Sequence, residues 1–227
     1  QPILQAYGEV LSRRTLEVRA TAGGTVVNLA PEFEDGGKVT EGQVMVQIDP
    51  TTAEADLAVA QTDLAEAQAE VRDAGRNIEL AHLDLAAAED QAKLREQALA
   101  RQQGLAARKV GTEAAVEEAA LSAASARQSV ISRRQALATA EARVDTARTS
   151  LTRAEIAVRE AERTLDDHTI RARLSGTLGD VTLVEGGLVS QNEILASLVD
   201  PDALEVSFRI STAQHARLLD AEGRLAG

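Results

Sequence analysis

"EDGGKVTEGQVMVQIDP" (Glu34–Pro50) returns later in the chain as "EGGLVSQNEILASLVDP" (Glu185–Pro201). Across this stretch the offset holds at 150 residues: Gly36 and Gly37 match Gly186 and Gly187, Val39 matches Val189, Val44 matches Ile194 and Ile48 matches Leu198. Just upstream, "GTV" at Gly24 matches "GTL" at Gly176. The surrounding "RTLEVRATAGGTVVNLA" and "TIRARLSGTLGDVTLV" alternate apolar and polar residues like half-buried strands, with Gly and Asp marking turns. Each half, 15–49 and 168–200, is too short to bury a core alone. The repeat therefore predicts one small β-sandwich made of two halves meeting face to face, with a long insertion between them.

The insertion, residues 50–167, reads as helix. From Thr51 to Asp167 there is no proline, and Gly75, Gly104 and Gly111 are the only glycines. Larger apolar residues recur every seven positions at Leu57, Leu64, Val71, Ile78 and Leu85, continuing as Ala92, Leu99 and Ala106. A second seam is Ala53, Ala60, Ala67, Ala74, Ala81 and Ala88. The return half repeats the scheme with Val116, Ala123, Val130, Leu137, Val144, Leu151, Val158 and Leu165, beside Ala119, Ala126, Ala140, Ala147, Ala154 and Ala161. A seven-residue repeat sustained this long implies a left-handed coiled coil.

Facing residues of an antiparallel pair keep a constant total of their numbers. Leu57 with Leu165, Val71 with Leu151 and Leu85 with Leu137 share one total, and Ala60 with Ala161 and Ala74 with Ala147 share a total one lower. Both place the fold-back at Val110 and Gly111. A left-handed glycine at Gly111 ending the first helix and an N-cap at Thr112 opening the second are the local expectation. Each arm is then about 55 residues, roughly 80 Å long. Arg95 and Arg133 interrupt the alanine seam; the preferred reading is long side chains snorkelling out of it, and the alternative is a partner-binding role.

Composition sets the class. Aromatic residues make up 1% of the chain, so a bulky globular interior is not expected, while abundant alanine with 26% charged residues suits long helices. A net charge of −12, with 24 basic residues against 36 acidic and almost no aromatic platforms, argues against nucleic acid as a partner. Without cysteine there is no disulfide framework, thiolate nucleophile or thiolate metal site. His82, His168 and His215 lack metal-ligand spacing, and Met45 is the only methionine, so no metal site is expected. No apolar run approaches the roughly 20 residues needed to cross a bilayer, and the first residues do not read as a signal peptide. No nucleophile with a base, phosphate loop or carboxylate pair stands out, so neither catalysis nor a cofactor is expected.

With half-motif, hairpin and half-motif in place, the sequence resembles the periplasmic adaptors, or membrane fusion proteins, of tripartite efflux pumps, of the HlyD-like or RND (resistance-nodulation-division) type. The resemblance rests on "GGTVVNLAPEFEDGGKVTEGQVMVQID" and "IRARLSGTLGDVTLVEGGLVSQNEILASLVDP" and covers nearly the whole chain. It implies an α+β fold: a long antiparallel α-helical coiled-coil hairpin inserted into a split biotinyl/lipoyl-like β-sandwich, plus the start of a β-barrel domain at 201–227, with 1–14 as its lead-in. Residues after about Asp202 are expected to be poorly supported, because the barrel is only begun. A lysine-borne cofactor is not implied, because the rod replaces the turn that would carry it; Lys38, Lys93 and Lys109 lie elsewhere.

The resemblance also implies function: no enzymatic activity, a periplasmic location, and attachment to the inner membrane through a signal or anchor absent from this chain. Implied partners are an inner-membrane transporter, RND or alternatively ABC, a TolC-like outer-membrane channel, and further copies in a ring, trimeric or hexameric. The family's docking adaptors share a tip signature of Arg, Leu four residues on and Ser seven further. Arg101, Leu105 and Thr112 stand at that spacing beside the turn at Val110 and Gly111, with threonine keeping the hydroxyl. The alternative for these three is solvation of Arg101, packing by Leu105 and capping by Thr112, as in a coiled-coil spacer with no channel partner.

Overall fold

The computed structural model describes residues 8–208; His215 and most of the segment 201–227 lie outside them. The chain divides into two compact units, one spanning Ala55–Glu162 and the other formed by the chain on either side of it.

The β unit contains β1 (Gly8–Ser12), β2 (Thr15–Arg19), β3 (Gly24–Leu29), β4 (Lys38–Val39) and β5 (Val44–Ile48) before the insertion. After it come β6 (Thr169–Arg171), β7 (Gly176–Gly179), β8 (Leu188–Val189), β9 (Ile194–Val199) and β10 (Leu204–Phe208). Two four-stranded antiparallel sheets result, ordered β2-β9-β7-β4 and β6-β5-β3-β8. The halves therefore do more than meet face to face. Each supplies the central pair of one sheet and both edge strands of the other. A lone two-stranded pair is marginal in water, and exchanging edges turns two marginal ribbons into two four-stranded sheets.

The exchange is a pseudo-two-fold, and the core obeys it. Buried Val18 and Ile170, Ala20 and Ala172, Val26 and Leu178, Val39 and Val189, Met45 and Leu195, and Ile48 and Leu198 occupy equivalent places in the two halves. Met45, Ile48, Leu195, Leu198, Val26 and Val46 are the largest fully buried side chains, each stabilising by about 1.5–3 kcal/mol relative to exposure. Backbone bonds repeat in the same way: Ala20 N donates to Glu193 O and Ala172 N to Gln43 O, each at 2.9 Å. Arg19 and Arg171 are mates as well. Each guanidinium donates across to the other half, to Asn192 O at 2.9 Å and to Gly42 O at 3.5 Å.

The recurring glycine pair has two jobs. Gly36 and Gly186 adopt left-handed backbone, with φ of 85° and 79°, which L side chains rarely do. Gly37 and Gly187 sit where the turn closes on itself. A Cβ on Gly37 would lie 1.9 Å from Glu32 O, and one on Gly187 would lie 2.9 Å from Val184 O.

An Asp-Pro pair ends each half. Asp49 accepts bonds from the Thr51 amide at 3.0 Å and the Thr51 hydroxyl at 2.6 Å, and Asp200 accepts from the Asp202 amide at 3.0 Å. The Thr51 hydroxyl and amide, helped by His168, hold the Asp49 carboxyl below its ordinary range. Its stabilisation of the helix start is thus full above pH ~3.9 and lost as pH falls through the lowered value. One turn launches a helix and the other launches β10, which pairs with β1 from Gly8↔Phe208 to Ser12↔Leu204. Residues 204–208, expected to be poorly supported, thus have a backbone partner. They lack a packed face: Val10, Leu204 and Val206 are all more than half exposed.

The helical unit is built from α1 (Thr51–Ala107) and α2 (Glu113–Asp166). At 57 and 54 residues they are roughly 85 and 80 Å long. Its buried residues are seam residues: Ala60, Ala67, Ala74, Ala88 and Ala92 on α1, and Ala123, Ala126, Val144 and Ala147 on α2. Ala74, Val144 and Ala147 form a buried cluster with Val71 and Ile78 packed against it, the partners that the constant total assigns. Along one flank Glu96 pairs with Arg127 and Glu89 with Arg134, both at 2.8 Å. Arg133 does not cross the seam toward Ala88. It turns outward to Asp84 at 3.0 Å with half its surface exposed, as a charge in a narrow alanine seam must. Arg95 is also exposed.

Candidate functional site at the hairpin tip

The turn between α1 and α2 occupies residues 108–112. Arg108 N and Val110 N both donate to Leu105 O, at 3.2 and 3.1 Å, and Lys109 N donates to Ala106 O at 2.9 Å. The last two of these are the paired closing bonds of a Schellman motif, with Lys109 in the position that takes left-handed backbone. Its φ is 57°. This corrects the expectation for Gly111, which is not left-handed. The helix stops two residues earlier than a glycine cap requires, and Gly111 serves closeness instead. A Cβ there would lie 3.0 Å from Ala106 N and 3.3 Å from Leu105 Cβ.

Thr112 opens α2. Its hydroxyl accepts a bond from Ala115 N at 3.3 Å and its carbonyl accepts one from Val116 N at 3.4 Å, the geometry of an N-cap. Arg101 and Leu105, four residues apart, share one face of the last turns of α1. Arg101 is exposed, and no carboxylate lies within 4.0 Å of it among the described residues. Leu105 is 41% exposed and Val110 is 77% exposed. A Schellman turn usually packs these two positions together; here both face solvent. Leu105 therefore has its carbonyl committed to the turn and its side chain available. Sequence reasoning missed Lys109 as a special position, because lysine carries no signal for left-handed backbone.

The β unit also carries a groove of about 700 Å3 between the edge strands β2 and β6. Its floor is Val18, Ala20, Met45, Ile170 and Ala172, all already packed in the core. Its rim mixes Glu17, Arg19, Asp166, Asp167, Arg171 and Arg173. Charged residues on open strands discourage pairing with other chains, which accounts for this rim. Among the described residues no group of three or more His or carboxylate side chains could hold a metal ion. Nor does any described helix have the length and apolarity to cross a membrane.

The comparisons with known proteins agree with this architecture. The family model described as RND MFP, barrel-sandwich hybrid domain, matches residues 14–201. No curated protein matches the sequence. Among solved structures, the periplasmic adaptor protein EmrA is similar at 13% identity and a TM-score of 0.59, over 95% of this chain and 80% of that one. MacA from Actinobacillus actinomycetemcomitans is similar at 21% identity and a TM-score of 0.61, over 92% of this chain. The chain spans 56% of the length of that MacA. At these identities the structures show the fold, a helical hairpin carried by a β domain. With the repeated halves, their exchanged edge strands and the family model spanning both, the chain belongs to the RND membrane fusion proteins, with the hairpin inserted in its barrel-sandwich hybrid domain.

Proposed function

We propose that the protein is a non-enzymatic periplasmic adaptor linking an inner-membrane efflux transporter of the RND class to a TolC-like outer-membrane channel, which it meets through the hairpin tip. The observation that carries the reading is the coincidence at the turn. Arg101 and Leu105 are exposed on the last turns of α1, Thr112 begins α2, and the signature spacing thus falls at the far end of arms 57 and 54 residues long. The arms supply reach, copies assemble into a ring, trimeric or hexameric, and transport energy comes from the transporter. An ABC-type exporter is the second reading for that partner, favoured by the length of the arms.

The absence of cysteine makes the test direct. A single cysteine replacing Leu105 in the full-length protein, carried in its own cells, should crosslink to an outer-membrane channel. A cysteine replacing Ala81, midway along α1, should not. Equal crosslinking from both positions, or none from Leu105→Cys, would overturn tip-first docking.

A further inference from the structure

Three leucines on α1 have no inward use. Leu80, Leu83 and Leu94 are each 60% or more exposed, and with Ala87 they follow three- and four-residue steps along one stripe of the helix. The heptads put this stripe outside the seam, on the side of α1 turned away from α2. Asp90 is the one charge within it. α2 has an outer face that suits it. Gln128, Ser132, Gln135, Thr139 and Ala142 are exposed there, and the face carries no charge from Leu121 to Ala142, between Glu118 at one end and Arg143 at the other. The guanidinium groups of Arg127, Arg133 and Arg134 are drawn to Glu96, Asp84 and Glu89 of α1 in the same hairpin. The two faces also stand level. The constant total that pairs the arms sets Leu80 beside Ala142, Leu83 beside Thr139 and Leu94 beside Gln128 in height along the rod.

We infer that the leucine stripe of α1 packs on the uncharged outer face of α2 in a second copy of this chain. This rests on the assembly of copies into a ring proposed above and names the surfaces that join them. The two faces point away from the seam in opposite directions and cannot meet within one hairpin, so a neighbouring copy is what brings them together. Two different faces meeting head to tail are what a closed ring requires. Rotation about the ring axis involves no shift along it, so with arms running along that axis the match in height holds from copy to copy. Removing the leucine surface from water drives the contact, and the small side chains of Ser132, Thr139 and Ala142 let the helices approach closely. Asp90 is level with Ser132, where the neighbour offers hydroxyl and amide donors and no carboxylate.

The test uses the full-length protein in its own cells, again through the absence of cysteine. Leu83→Cys combined with Thr139→Cys, the level pair, should give under oxidation a ladder of dimers and higher multimers of this chain. A disulfide needs Cα atoms about 4.4–6.8 Å apart, so two outward-facing positions of one hairpin cannot close on each other. Leu83→Cys alone should give no ladder. Nor should Leu83→Cys with Ile156→Cys, which moves the second thiol along α2 by roughly 25 Å, away from the turn. Adding Leu94→Lys to the level pair should abolish the ladder while helical circular dichroism and melting temperature stay as in the parent, because Leu94 is exposed in the single chain. No ladder from the level pair, an equal ladder from the Ile156 pair, dimers from Leu83→Cys alone, or a ladder that survives Leu94→Lys would each overturn the inference. The crosslink from Leu105→Cys to a channel is read separately, so tip-first docking stands or falls on its own result.

Discussion

Gly36 and Gly37 stand next to each other for unrelated reasons. Gly36 needs its backbone freedom, since φ is 85° and a Cβ there would meet nothing within 4 Å. Gly37 needs its missing side chain, since a Cβ would lie 1.9 Å from a backbone oxygen. Gly36→Ala should therefore cost about 1 kcal/mol, the price of left-handed backbone for an L residue. Gly37→Ala should cost about 3 kcal/mol or more, because backbone rather than a flexible side chain must move. Denaturant melts of the two variants check the order; equal costs would mean that the turn relaxes freely. The repeat was legible in the sequence at this scale. The division of labour was not, because two adjacent glycines look identical until their surroundings are known.

At the scale of elements, the hairpin is the part most fully written in sequence. Heptads name the seam, alanine makes it narrow, and the register follows from two constant totals. Ala147, fully buried against Ala74, shows how little room there is. Ala147→Leu should cost about 1–3 kcal/mol by forcing the arms apart, whereas Ala138→Leu on the exposed face of the same helix should stay within about 0.5 kcal/mol. Thermal melts followed by helical circular dichroism distinguish them. The end of the hairpin was less legible than its length. Heptads locate a turn to within a residue or two, but the last helical hydrogen bond depends on where the chain can reverse. That bond put Lys109, not Gly111, in the left-handed position. The side chains bear the docking reading differently: Thr112 already caps α2, while Leu105 and Arg101 keep exposed surface that no internal contact uses up.

For the whole molecule, the two units have separate interiors. The buried core of the β unit contains no residue between Ala55 and Glu162. Replacing residues 55–162 with a short flexible linker should therefore leave a β unit that melts cooperatively, with most of the helical circular dichroism gone. A non-cooperative melt would show that the hairpin is needed to bring the halves together. The exchange of edge strands favours the first outcome, because β2 and β4 hold the second half's sheet while β6 and β8 hold the first half's. Neither half can leave without breaking both sheets.

The sequence by itself determined the repeat, the insertion, the antiparallel register and the neighbourhood of the tip. These follow from periodicities and spacings that local physics enforces one turn or one strand at a time. Only the tertiary structure decided that the halves exchange edges, that Lys109 takes the strained position, and that Leu105 and Val110 both face solvent. Those outcomes depend on which backbone groups find partners and which surfaces are left over after packing, and residues far apart in the chain settle both.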